Sequence, residues 1–137
     1  MAFKFSIIND LKLSIEKYSN SIYIDEVLDF LDEEFNHPDF NNVDRILVNL
    51  KECKFNPGEV NKINISKLKS KYMEKSSPFT IVFLTDTGIE TAFACLCETY
   101  LKDSLCNIGY CCTTQKAKNL LNLDIDENDF QNLIDKV

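Results

Sequence analysis

Glycine and proline are scarce in this chain, three of each in 137 residues. That leaves no room for long flexible linkers or for glycine-rich loops that wrap a ligand. The pattern Gly-x-x-x-x-Gly-Lys-Ser/Thr occurs nowhere. Nucleotide hydrolysis is therefore unsupported, although IVFLTD looks like a strand that ends in a metal-binding Asp. Histidine is reduced to His37, and nucleophilic catalysis needs a base beside Ser or Cys. Its place before Pro38 suits a helix end or the surface. No apolar run approaches the ~20 residues that cross a bilayer. The N-terminal MAFKFSIINDLK lacks a small-residue cleavage site and reads as mature, cytoplasmic protein with no membrane insertion. A net charge of −7 repels a phosphate backbone, so no nucleic acid is expected.

Cysteine, by contrast, is plentiful: Cys53, Cys95, Cys97, Cys106, Cys111 and Cys112. None forms a C-x-x-C pair. On a helix, Cys95 and Cys97 point about 200° apart, and adjacent Cys111 and Cys112 on a strand face opposite sides. They read as reduced, apolar filler. No metal site and no cofactor is expected from them.

The most structured stretch is FTIVFLTDTGIETAFACLCETY. Phe79–Leu84 is a short apolar run rich in β-branched and aromatic residues, as in a strand buried on both faces. Thr85, Asp86, Thr87 and Gly88 stop it. Thr87 and Glu90 have capping-box spacing, and Ile89, Ala92, Phe93, Leu96 and Tyr100 then form one helical stripe. This is half of a βαβ unit. The Ala94 and Cys95 flank of that helix is either core or a dimer contact. Asp86-Thr87-Gly88 also reproduces the aspartic-protease triplet, but that chemistry needs two such loops in a β-rich scaffold. A helix cap explains the same residues.

Upstream, Phe3–Ile8 reads as a strand, and the alternation in 11–18 predicts a second, half-buried one after an Asn9-Asp10 turn. Ser19-Asn20 reads as loop. Asp25 is placed as the cap of a helix bearing Val27, Leu28, Phe30, Leu31 and Phe35. Residues 45–50 (RILVNL) predict a buried strand. Asn56-Pro57-Gly58-Glu59 then signals a helix start, with Val60, Ile63, Leu68 and Tyr72 turned inward. After residues 105–112, a strand weakened by Gly109, Thr113 or Thr114 caps a short helix with Ala117, Leu120 and Leu121. Asp126 opens a last amphipathic helix over 127–136. Asp124-x-Asp126-x-Asn128 opens like a calcium loop, but Asp129 and Asp135 stand where Gly and Glu belong. Acids at Asp25, Glu26, Asp29, Asp32, Glu33 and Glu34, and lysines at Lys67, Lys69, Lys71 and Lys75, read as two solvated helix faces.

The order predicts an α/β fold: one domain over 1–137 with a mixed, mostly parallel sheet, an opening antiparallel hairpin and helices packed on it. Residues 122–137 form a C-terminal helical extension. With its NHPDF segment at Asn36, His37, Pro38, Asp39 and Phe40, the RILVNLK strand and the IVFLTDT strand-turn, this layout resembles the STAS-like family of anti-sigma-factor antagonists and sulfate-transporter domains. Short stand-alone bacterial members are the nearest in kind, and the likeness spans roughly residues 5–122.

The resemblance implies a regulatory domain that works by binding a partner and is not an enzyme. In the antagonists a serine in a loop after the strand equivalent to 45–50 is phosphorylated. Here that loop reads KFNPGEV and has no hydroxyl residue, so the phospho-switch is not carried over. Ligands of open α/β sheets settle at the carboxyl ends of the strands. That rim would be built by Asn49, Lys51, Asn56, Pro57, Gly58, Thr85, Asp86, Thr87 and Gly88. The function expected is a non-catalytic, cytoplasmic protein-interaction module with an unidentified protein partner, a homodimer remaining open. The alternative is a carrier or sensor of a small or lipid-like ligand.

Overall fold

A computed structural model describes residues 3–75, 77–86, 88–101 and 105–137. The elements among them run β1 (Phe3–Ile8), β2 (Leu13–Ile22), α1 (Ile24–Phe35), β3 (Arg45–Phe55), α2 (Lys62–Tyr72), β4 (Phe79–Leu84), α3 (Gly88–Tyr100), β5 (Cys106–Cys111), α4 (Thr114–Leu120) and α5 (Glu127–Asp135). Single 3-10 turns occupy Asn9–Leu11, Pro38–Asn42 and Pro57–Glu59. The strands lie in chain order, β1-β2-β3-β4-β5. β1 and β2 are antiparallel and every later neighbour is parallel. The expected mixed α/β sheet with an opening hairpin is the fold.

The side-by-side, same-direction pairing of the strands beginning at Arg45 and Phe79 holds, with Ile46 opposite Ile81 and Asn49 opposite Leu84. Side chains alternate across this ladder. Ile46, Val48, Ile81, Phe83 and Ile108 pack with Val27, Leu31, Ile65, Leu68, Phe93, Ala94 and Cys97 of α1, α2 and α3. Leu13, Ile15, Leu47, Val82 and Leu84 turn the other way, onto Ala117, Leu121, Phe130 and Ile134. The C-terminal helix, expected as an extension over 122–137, therefore closes a second core together with α4. α4 sits close: a Cβ on Gly109 would lie 3.2 Å from Leu120 Cδ1.

Several boundaries and faces differ from expectation. β2 starts later and continues through Ser19 and Asn20, with Asn20 in the left-handed conformation (φ 63°) inside the strand. It is not half-buried, since Ser14 and Glu16 are as buried as Leu13 and Ile15. Tyr23, not Asp25, occupies the cap position of α1, and no side chain caps it. α2 begins after the 3-10 turn, capped by Asn61, whose side chain accepts from Asn64 N. Glu59 is drawn elsewhere: its Oε1 accepts from Ile24 N and its Oε2 from Asn64 Nδ2. That later start rotates the helix, leaving Ile63 72% exposed and Ile65 buried.

α3 is likewise rotated. Glu90, Phe93, Ala94 and Cys97 face inward, while Ile89 and Tyr100 are partly exposed. Ala94 thus belongs to the core, and Cys95 is exposed. The charged segments are not independent solvated faces either. Lys67 pairs with Asp25 at 3.8 Å and Lys71 with Asp32, so the acids of α1 and the lysines of α2 meet along adjacent helices. The exposed Lys67–Asp25 pair contributes little, about 0–1 kcal/mol.

Phe130 is fully buried in the second core. Phe130→Ala is expected to destabilise the chain by about 3–5 kcal/mol through lost burial and a residual cavity. Urea unfolding measures this, and a loss below about 1 kcal/mol would mean that α5 does not close the sheet.

Candidate functional site

The carboxyl ends of the strands meet where β3 outruns β4. Pairing with β4 stops at Asn49, whereas pairing with β2 continues to Phe55. Between these points the register slips: Lys17 faces Asn49 but Ser19 faces Glu52. One residue of β2 thus stands against two of β3, which is a β-bulge. It shifts the buried positions of β3 from Ile46, Val48 and Leu50 to Cys53 and Phe55.

The projecting segment is held from the β4 side by α3. Phe55 stacks on Phe93 with centroids 4.3 Å apart. Phe55 N donates to Glu90 Oε1 at 3.4 Å, and Lys51 N donates to Asn49 Oδ1 at 3.1 Å. Strand alternation turns the N–H of Cys53 the same way as that of Phe55. Side chains thus stand in for the missing strand at the two ends of this edge. Between them lies a shallow cleft of about 490 Å³, lined by Lys51, Glu52, Cys53, Lys54, Phe55, Gly88, Ile89 and Glu90.

Of the rim residues expected from the sequence, Lys51 and Gly88 line this cleft. Asp86 is exposed beside it. Asn49 and Thr85 are buried, and Thr85 Oγ1 lies 3.1 Å from Thr91 Oγ1. Asn56, Pro57 and Gly58 form the turn beyond the tip of β3, where Asn56 Oδ1 accepts from Gly58 N. Thr87 lies outside the described residues, and with it the proposed capping box. Sequence reasoning missed Cys53, Phe55 and Glu90. The available signal was the switch of apolar positions from even to odd numbers after Leu50.

The chemistry open to this rim is narrow. Cys53 is buried beside Glu90, and its Sγ donates to Leu50 O at 3.1 Å. Burial first, and then the Glu90 carboxylate, push its thiol up to about 12. A thiolate nucleophile requires the opposite shift. Lys17 is paired with Glu52 at 3.2 Å. Among the described residues, no three of His, Cys, Asp and Glu converge as a metal-ligand set. His37 instead closes a turn at the other end of the sheet, where its Nδ1 accepts from Asp39 N at 3.1 Å.

A polar depression of about 370 Å³ lies at that other end. Asn36 and Phe40 of the NHPDF segment line it with Lys71 and Lys75, and the Lys75 ammonium sits 5.2 Å from the Phe40 ring centroid. The void enclosed between sheet and helices, lined by Tyr18, Val27, Phe55, Leu68, Tyr72, Phe83, Phe93 and Cys97, measures about 10 Å³. No helix among the described residues is long and apolar enough to cross a membrane. Comparison with protein-family models, curated proteins and solved structures yields no match.

The thiol environments give a direct check. Cys95 and Cys112 are exposed, whereas Cys53, Cys97 and Cys106 are buried. A maleimide at neutral pH is expected to label the first two in the folded chain and the buried three only after denaturation. Peptide mapping reads this out, and early labelling of Cys53 would contradict a rim closed by Phe55 and Glu90.

Proposed function

We propose that this chain is a STAS-like, non-catalytic interaction module that docks a protein partner on the rim around the projecting end of β3. The single observation that carries this reading is the strand edge that outruns β4, with a mostly apolar cleft beside it. The Cys53 N–H, which lies on this edge between the capped Lys51 and Phe55 amides, is a directional donor, and β-strand edges are common docking elements for other chains. The cleft supplies apolar contact through Phe55 and Ile89, flanked by Lys51, Lys54 and Glu52. That is an apolar centre with a charged surround, as in many protein interfaces.

One feature weighs toward binding over catalysis: burial holds the rim thiol protonated. The STAS-like grouping rests on the strand order and the NHPDF, RILVNLK and IVFLTDT segments, and it brings the expectation of a cytoplasmic, bacterial protein. The KFNPGEV loop has no serine to phosphorylate, so the phospho-switch of the antagonists is not part of this reading. A carrier of apolar cargo finds little support in a void of about 10 Å³, which is at the limit for one water molecule.

Site-specific photo-crosslinking tests the reading. A photoreactive residue in place of Lys54, on the rim, is expected to capture a discrete protein from native extract. The same residue in place of Asp10, on the turn before β2 at the opposite end of the sheet, is expected not to capture it. Equal capture from both positions, or none from Lys54, would contradict the placement of the surface.

A further inference from the structure

The face of β2 under α1 carries polar groups where the rest of the core is apolar. Ser14, Glu16 and Tyr18 project from β2 toward Glu34 on α1, and Ser14, Glu16 and Glu34 are each 0% exposed. Tyr18 OH donates to Glu16 Oε1 at 2.6 Å, and Ser14 Oγ donates to Glu34 Oε2. The remaining oxygens, Glu16 Oε2 and Glu34 Oε1, are buried and, among the described residues, accept nothing from any hydroxyl or N–H. They belong to two carboxyls within hydrogen-bonding reach of each other. Two ionised carboxylates in that arrangement would face one another unpaired in a low-dielectric interior.

We propose that Glu16 and Glu34 hold a single proton between them, and that this proton latches α1 onto β2 and is lost as pH rises. Glu34 is the carrier: Glu34 Oε1–H donates to Glu16 Oε2, which satisfies both orphaned oxygens at once. The surroundings favour this state. Phe5 of β1 and Val48 of β3 stand opposite Glu16 in the sheet, and Ile7 and Ile46 stand opposite Ser14, all without charge. From α2 comes Tyr72, which with Tyr18 is the other titratable group turned toward the pair. Burial and the nearby carboxyls push both phenols upward, so they stay neutral. Among the described residues no Lys, Arg or His is paired with either glutamate. Lys71 of α2 is taken by Asp32 and Glu74.

Burial, and then the neighbouring Glu16 charge, raise Glu34 well above its ordinary value of 4.5. The folded chain then binds more protons than the unfolded one above that value, so the pair's contribution to stability falls with rising pH until Glu34 ionises. One extra proton corresponds to a folding constant that drops up to about tenfold per pH unit. Once the proton leaves, two like charges oppose each other across the α1–β2 interface, and α1 is the element that can move away.

Glu34→Gln copies the protonated form, with its amide donating to Glu16 and its carbonyl accepting from Ser14. Urea unfolding of the full chain over a pH series is expected to show a wild-type stability that falls relative to the Gln variant as pH rises from about 5. Hydrogen exchange is expected to show amide protection at Phe30 and Leu31 falling with pH, relative to Leu47 and Val82, in the wild type alone. Parallel stability curves for the two proteins would overturn the proposal. Should the variant not fold, carbon-13 NMR of the wild-type glutamate carboxyls still decides. One carboxyl carbon is expected to keep its protonated position to higher pH than the exposed glutamates do, and titration of every glutamate in the ordinary range would overturn the shared proton.

Discussion

The strand order is the constraint from which the other features follow. Each parallel crossover here carries the chain to the next strand in the same lateral direction. Crossovers of one hand that keep stepping the same way must leave their helices on one face of the sheet. So α1, α2 and α3 share a face, and the opposite face of β2, β3 and β4 would be a bare sheet of Leu13, Ile15, Leu47, Val82 and Leu84. No sheet of that composition stays open to water, since burying each such side chain is worth about 1.5–3 kcal/mol. The chain after β5 has to return across that face, and α4 and α5 do so. Thr114 Oγ1 donates to Gln131 Oε1 between the two helices, and Lys118 Nζ donates to Ile125 O in the connection at 2.8 Å.

Much of this was legible because period and length agree. Phe79–Leu84 and the first half of β3 are short and apolar on both faces, as a covered parallel strand requires. Thr113 and Asp126 were readable as caps, and both accept the expected backbone N–H groups. The misses share a cause, which is that a distant partner outcompeted the local signal. Glu59 has capping-box spacing, yet it accepts from Ile24 N, so α2 starts late and Ile63 is turned out. The apolar pattern of β3 breaks after Leu50 because a bulge changes its phase, and Cys53 and Phe55 resume it. Alternation in β2 suggested one wet face, because a polar Ser-x-Glu-x-Tyr set cannot be told from a solvated one until Glu34 is brought over it.

The rim and the buried carboxyl pair occupy the two flanks of β3, and both arise where β2 and β3 depart from the ordinary pattern. At one, β3 outlasts β4, and the helix after β4 supplies Glu90 and Phe93 to close the edge. At the other, β2 places hydrogen-bonding side chains in an apolar layer, and α1 supplies the matching carboxyl. The candidate docking rim was foreseeable in location, at the carboxyl ends of the strands, but only partly in membership. Lys51 and Gly88 were identified, whereas the residues that shape the cleft required the bulge.

The central claim is that β3 lies between β2 and β4, parallel to both, in the register that sets Ile15 beside Leu47 and Leu47 beside Val82. Cross-strand nuclear Overhauser effects on a uniformly labelled chain test it most directly. The account predicts backbone contacts along the row Ile15, Leu47, Val82 and Gly109, spaced as in parallel ladders. Contacts of the antiparallel pattern between β3 and β4, or none between those strands, would contradict it.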